Sequence, residues 1–321
     1  MPLPSFLRFS PIYKDYLWGG DRIAQRYGRA NAPARTAESW EISAHPDGDV
    51  AVASGPLAGR TLSSLTSECG RELLGALAPS ASRFPLLAKI IDARQPLSVQ
   101  IHPSPADPTA NPVEYKNECW HLLDADDGCI IYAGLVPGTL PQLDGRPFRS
   151  DYVSQALIQH RPHPGETLYI PAGLVHAIGA GALIYEVQQS SNTTYRFYDW
   201  DRVGPDGKPR PLHVEQALRS IDFSLPPPAF AAPRPLPEGG ALCLATPYFA
   251  VREFRSATAR RPGGESFDII FVKDGAFRLS SPSGEAATAK AGDSVLVPAS
   301  CAEYRIEPLE SASAALVTSL R

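Results

Sequence analysis

The sequence predicts a mainly β protein in two domains joined by a proline-rich linker, and three observations support that expectation. Short runs of β-forming residues, alternating or continuous, recur between glycine and proline punctuation through most of the chain. The segment 224–240, SLPPPAFAAPRPLPEGG, is far richer in proline than the rest and breaks the apolar pattern, so it divides a domain at 1–223 from one at 241–321. The third observation is an internal repeat. Gly165, Pro171, Gly173 and His176 recur in spacing as Gly292, Pro298, Ser300 and Glu303, each set marking one strand that enters one tight turn.

A chain of 321 residues, 43% of them apolar, can bury two cores. Thirty basic against thirty-four acidic side chains give a net charge of −4, which lacks the basic excess of a nucleic-acid binder. No charged leader precedes a long apolar run, and no run is long enough to span a bilayer, so a soluble, cytoplasmic protein is expected. Five cysteines without a CxxC pair fit a reducing compartment and exclude a Cys-rich metal site.

Helical periodicity is confined to TLSSLTSECGRELLGAL, part of 140–160, and LHVEQALRSI. The run PLLAKIIDA reads as a buried strand, and Lys89 within it needs an anionic partner, Asp92 being near in sequence, or a path for its ammonium to water. In LSVQIHP the strand period places Leu97, Val99 and Ile101 on one face and Ser98, Gln100 and His102 on the other. The same alternation in KNECW sets Lys116, Glu118 and Trp120 opposite Asn117, Cys119 and His121. Residues 184–202, IYEVQQSSNTTYRFYDWDR, interleave aromatic rings with charges. That pattern suits a wall for a polyhydroxylated ligand with an anionic group, or a salt-bridged edge in which Arg196 pairs with Asp199 or Asp201.

The G-x5-P-x-G-x2-H pattern of the first repeat resembles the second half of the cupin signature. That resemblance implies two antiparallel, jelly-roll-type β-barrels with a metal at the mouth, where inward-facing residues distant in sequence converge. Gln100, His102, Glu118 and His176 then form a ligand quartet. The second repeat has Glu303 in place of the histidine, and no histidine follows His213, so the C-terminal domain is a degenerate copy. Two imidazoles, a carboxylate and an amide suit Zn²⁺; two histidines and a carboxylate also suit non-haem iron.

Taken together, YLWGG, ESWEISAHPDG, AKIIDARQPLSVQIHP, KNECWHLLDA, IPAGLVHAIGAGALIYEVQQSSNTTYRFYDWDR and PLHVEQAL resemble the type I mannose-6-phosphate isomerases in their shorter bacterial form, over residues 10 to about 222. The resemblance implies an enzyme with one Zn²⁺ per chain that interconverts mannose 6-phosphate and fructose 6-phosphate through an enediol, acting on a sugar phosphate and on neither nucleic acid nor membrane. It makes Gln100, His102, Glu118 and His176 the zinc ligands and Arg196 the active-site arginine. Lys116, Lys89 and Ser98 fall beside the substrate, with Ser98 a candidate for the phosphate. Lys116, Lys89, or a Glu or His near the metal is the candidate proton carrier. The loop PSPADPTANPVEYK departs from the family by its prolines, where acidic residues are usual.

Overall fold

The computed structural model describes residues 2–139, 152, 155–204, 206–237 and 239–321. It is mainly β with a few short helices, as the punctuation of the sequence predicts. The strands form sheets of eight, six, five and four members plus a two-stranded ribbon, with antiparallel pairing.

The arrangement of apolar faces stacks these sheets in four layers. The six-stranded sheet runs in the order Thr167–Ile170, Glu118–Ala125, Ala182–Gln189, Leu86–Ala93, Glu38–Ile42, Ile12–Lys14. Its front residues Ile91, Trp120, Leu122 and Ile184 pack with Ile131, Ala133 and Ile178 of the five-stranded sheet. Its back residues Ile90, Cys119, Tyr185 and Val187 pack with Phe249, Ile269, Phe271 and Leu316 of the eight-stranded sheet. The far side of that sheet, including Ile270, Val272 and Val317, meets Phe277, Leu279 and Ile306 of the four-stranded sheet. Burial on both faces explains why PLLAKIIDA reads as a continuous apolar run.

Two closed barrels are not what the described residues form. The sheets stay separate, and a free edge is covered by other chain: Thr167 and Ala231 exchange backbone hydrogen bonds, laying the proline-rich segment along the edge strand Thr167–Ile170. Covering an edge protects its unpaired groups as closure would. The strand Leu7–Ser10 pairs with Ser294–Val297, so the two ends of the chain share the eight-stranded sheet.

The expected helix TLSSLTSECGRELLGAL is two, Leu62–Cys69 and Arg71–Leu74, divided at Gly70 with φ of 46°. Thr61 caps the first by accepting a hydrogen bond from the Ser64 N–H. LHVEQALRSI contains the helix Val214–Ser220. Of the helix expected within 140–160, residues 140–151, 153 and 154 lie outside the described residues, and Leu157–His160 is a strand. The two repeats are both strand, turn and strand, and Gly165 and Gly292 have φ of 91° and 89°, where a side chain would be strained. Among the described residues no helix is long and apolar enough to cross a membrane, and all five cysteines are free.

His121 sits between the six- and eight-stranded sheets, its Nδ1 2.9 Å from Thr167 Oγ1 and its Nε2 3.4 Å from Lys273 Nζ. Burial first, and Lys273 second, push its pKa down to about 3. The unfolded chain takes up a proton near pH 6.5 that the folded chain refuses. Stability is therefore full above about 6.5 and declines as pH falls, by up to about 1.4 kcal/mol per pH unit. His121→Gln is expected to reduce the fall in melting temperature between pH 6.5 and 4, and an unchanged slope would count against this account.

Candidate active site

The strand alternation that buries the core also builds the site. Along the front face of the six-stranded sheet, Ile91, Ile184 and Leu122 give way two to four residues on to Lys89, Glu186 and Glu118, so the apolar face becomes a charged floor. Register places Glu186 opposite both Lys89 and Trp120. In the facing sheet, His176, Gln100 and Arg196 occupy one row across the neighbouring strands His176–Ile178, Val99–Ile101 and Tyr195–Tyr198. Val99 and Ile101 turn the other way, against Ala217 of the helix Val214–Ser220.

His102, Glu118 and His176 are fully buried, and their candidate ligand atoms all lie within 4.8 Å of one another. The Nε2 atoms of His102 and His176 stand 3.3 and 3.6 Å from the Glu118 carboxylate. Each Nδ1 faces a backbone carbonyl, that of Thr193 at 3.1 Å and of Leu174 at 2.9 Å, which sets the proton on Nδ1 and leaves both Nε2 lone pairs directed inward. Lys116 Nζ reaches to 2.6 Å of Glu118, yet neither carboxylate oxygen receives a well-angled hydrogen bond. Buried lone pairs without donors, beside two inward imidazole nitrogens, are what a divalent cation would satisfy. The trio fits a metal.

Gln100 joins them, its amide 3.3 Å from His176 Nε2 and its Oε1 accepting from Ser98 Oγ at 3.1 Å. Exchanging amide oxygen and nitrogen by a half-turn would present Oε1 to the trio and return the nitrogen to Ser98 as donor. The four residues named as ligands from the sequence thus stand together.

Electrostatics keep the trio ready for a cation. Burial opposes ionisation of Glu118, but Lys116 and then His102 outweigh it and hold the carboxyl well below its ordinary range. Burial, then His102, presses His176 to about 3; burial, then Lys116, lowers His102. Both rings are therefore neutral at neutral pH, the form in which an imidazole can bind a cation.

Beside the trio opens a cavity of about 210 Å³ whose wall includes Lys89, Lys116, Ser98 and Arg196, each named from the sequence. Lys89 does not pair with Asp92, whose carboxylate instead accepts from Arg22 Nε at 2.9 Å. Three residues along a strand lies the opposite face. Its partners are Glu186 at 3.0 Å and Glu38 at 3.3 Å, and these carboxylates, in that order, overcome burial to raise the lysine pKa. Trp120 and Trp40 fix the two carboxylates through indole N–H bonds of 2.8 and 2.7 Å. Arg196 pairs with neither Asp199 nor Asp201 by hydrogen bond: its Nη1 donates to Pro211 O at 3.3 Å, and its Nε is buried without a partner.

Sequence reasoning passed over Glu38, Glu186, Arg210 and His213, all on the cavity wall. A signal existed for Glu186, which keeps the two-residue period with Ile184 in a strand and answers the need of a buried lysine. Nothing local marks Arg210. Glu303, the counterpart of His176, lies at the surface 3.2 Å from Arg261, and no metal-type cluster besides the trio occurs among the described residues.

Residues 6–121 match the family model for the catalytic domain of type I phosphomannose isomerase. The mannose-6-phosphate isomerase ManA of Bacillus subtilis is 36% identical over 309 residues, 94% of this chain and 95% of the relative. That of Streptococcus mutans is 35% identical over 303 residues, 93% of each. A crystal structure of the mannose 6-phosphate isomerase from Bacillus subtilis superimposes with a TM-score of 0.82 at 29% identity, covering 98% of this chain and 99% of that one. With a buried imidazole–carboxylate trio, ion-paired lysines and an arginine around one cavity, and with relatives aligned over nearly its whole length, the chain belongs to the type I mannose-6-phosphate isomerases.

Proposed function

We propose that the chain is a zinc-dependent aldose–ketose isomerase that interconverts mannose 6-phosphate and fructose 6-phosphate through an enediol. The observation that carries this reading is the placement of the His102–Glu118–His176 trio beside a cavity walled by Lys89, Lys116 and Arg196. Gln100, His102, Glu118 and His176 would hold one Zn²⁺, the ion that two imidazoles with oxygen donors suit. When bound, the metal supplies positive charge for the sugar oxygens on which negative charge develops.

The chain's own groups divide the remaining work. Isomerisation carries a proton between C1 and C2, so an acid–base group must stand beside those carbons. Lys116, 2.6 Å from Glu118 and 3.3 Å from His102 Nε2, is next to the ligand set and takes that part. Lys89, locked between two carboxylates, keeps its proton and serves as a fixed donor. Arg196, in the same cross-strand row as Gln100, offers a permanently charged guanidinium to the reacting oxygens. Trp18, Leu97 and Ile178 supply the apolar part of the wall.

A coupled assay for fructose 6-phosphate from mannose 6-phosphate tests the reading. Turnover is expected to disappear with chelator and return with Zn²⁺, at one metal per chain. Binding of the sugar phosphate with no conversion and no solvent deuterium at C1 or C2 would defeat it.

A further inference from the structure

Resting on the metal-dependent reading above, we propose that Glu114, on the proline-rich loop after His102, is a positioning residue for the metal: it holds Thr193, the Thr193 carbonyl holds the His102 ring, and affinity for Zn²⁺ depends on that chain of contacts.

The two imidazoles of the trio are oriented by different means. His176 Nδ1 faces the carbonyl of Leu174, two residues before it, in a turn closed by the Leu174 N–H on Pro171 O at 3.1 Å. That contact is local and needs no outside support. His102 Nδ1 faces the carbonyl of Thr193, 91 residues later, at 3.1 Å. Thr193 lies between the strands Ala182–Gln189 and Tyr195–Tyr198 and belongs to neither, so no ladder fixes the direction of its carbonyl. An imidazole whose outer partner can swing aims its other nitrogen poorly.

Glu114 supplies what the ladder does not. Its Oε2 accepts from Thr193 Oγ1 at 2.7 Å and from Ser191 Oγ at 2.9 Å, and its backbone carbonyl stands 3.1 Å from the same serine hydroxyl. Ser191 Oγ in turn accepts from the Thr193 N–H at 3.2 Å. Thr193 is thus held at its hydroxyl and at its N–H, which leaves its carbonyl directed at His102. Gln188 Nε2 donates to Ser191 O at 2.5 Å and ties the same segment to the central sheet. A carboxylate acceptor makes such bonds roughly twice as strong as a neutral one would.

The loop that carries Glu114 is built to hold it still. Pro103, Pro105, Pro108 and Pro112 restrict the backbone along PSPADPTANPVEYK. Asp107 accepts from the Thr109 N–H and hydroxyl at 2.9 and 2.7 Å and from Arg219 Nε at 3.3 Å. Asn111 Oδ1 accepts from the Val113 N–H at 3.1 Å and caps the single 3₁₀ turn Pro112–Glu114. The prolines that set this loop apart in the sequence therefore stiffen the support of one imidazole.

The test measures Zn²⁺ binding by the full chain in competition with a chromophoric chelator, which reads affinity without turnover. Glu114→Ala is expected to raise Kd for Zn²⁺ by about tenfold or more, with kcat at saturating Zn²⁺ within about threefold of wild type. Glu114→Gln keeps an oxygen that can accept from Thr193; it should lose less, and it stands in if the alanine variant fails to fold. Thr193→Val removes the hydroxyl and keeps the carbonyl. It should raise Kd in the same direction, and adding Glu114→Ala to it should cost little more, as for two residues acting through one contact. Asp107→Ala loosens the same loop at a residue that does not bond Thr193, so the melting temperature should fall while Kd stays within about twofold. An unchanged Kd in Glu114→Ala, or an equal rise in Asp107→Ala, would overturn the assignment. If the wild type binds Zn²⁺ yet does not isomerise mannose 6-phosphate, the isomerase reading fails alone, and weakened Zn²⁺ binding in Glu114→Ala still upholds the positioning role; a wild type that binds no Zn²⁺ sinks both.

Discussion

Glu118→Gln is expected to abolish metal binding and to lower turnover by about 10³-fold or more, since a metal's charge at developing oxyanions accounts for several kcal/mol of the barrier. Glu118 is the carboxylate toward which both imidazoles and Lys116 turn. Its removal has a second effect. Lys116, 5% exposed, loses its nearest counter-charge, and breaking a buried pair from one side costs about 3–5 kcal/mol. The two effects separate in Glu118→Gln combined with Lys116→Met, which should recover much of the melting temperature while binding no metal. Elemental analysis and thermal unfolding of the single and double variants read both. A Glu118→Gln protein that retains one equivalent of metal and near-normal turnover would remove the carboxylate from the site.

Arg196→Ala is expected to lower kcat by about 10²-fold or more, with KM changed much less and metal content unchanged. The guanidinium contacts no ligand residue by hydrogen bond, so the ligand set should survive its loss. A group that meets charge present only in the transition state shows this pattern. Loss confined to KM would instead mean that Arg196 holds the substrate in its ground state.

The strand alternation made much of this legible. In LSVQIHP and KNECW the period of two separates core from site, and the structure places Val99 and Ile101 in an apolar cluster while Gln100, His102 and Glu118 face the cavity side. What stayed hidden depends on pairing between distant strands. Lys89 announces a need for an anion, but Glu38 and Glu186 come from strands far away in sequence, and only the register of the sheet brings them within 3.3 Å. Asp92, the neighbour in sequence, points to the other side and meets Arg22. Arg210 follows an irregular loop, where no periodicity predicts direction. The barrels failed to close for a similar reason: whether an edge is hydrogen-bonded to another strand or covered by chain such as Ala231 is a property of the assembled molecule.

The pairing of Leu7–Ser10 with Ser294–Val297 bears on how the chain is made. A ribosome adds roughly 5–20 residues per second, so the first strand is extruded tens of seconds before its partner exists. During that interval the back of the central sheet, with Cys119, Tyr185 and Val187, has no covering layer. Contacts of such long sequence separation form slowly. The half that holds the buried trio therefore cannot finish folding as it emerges, and the arrival of the C-terminal half completes it.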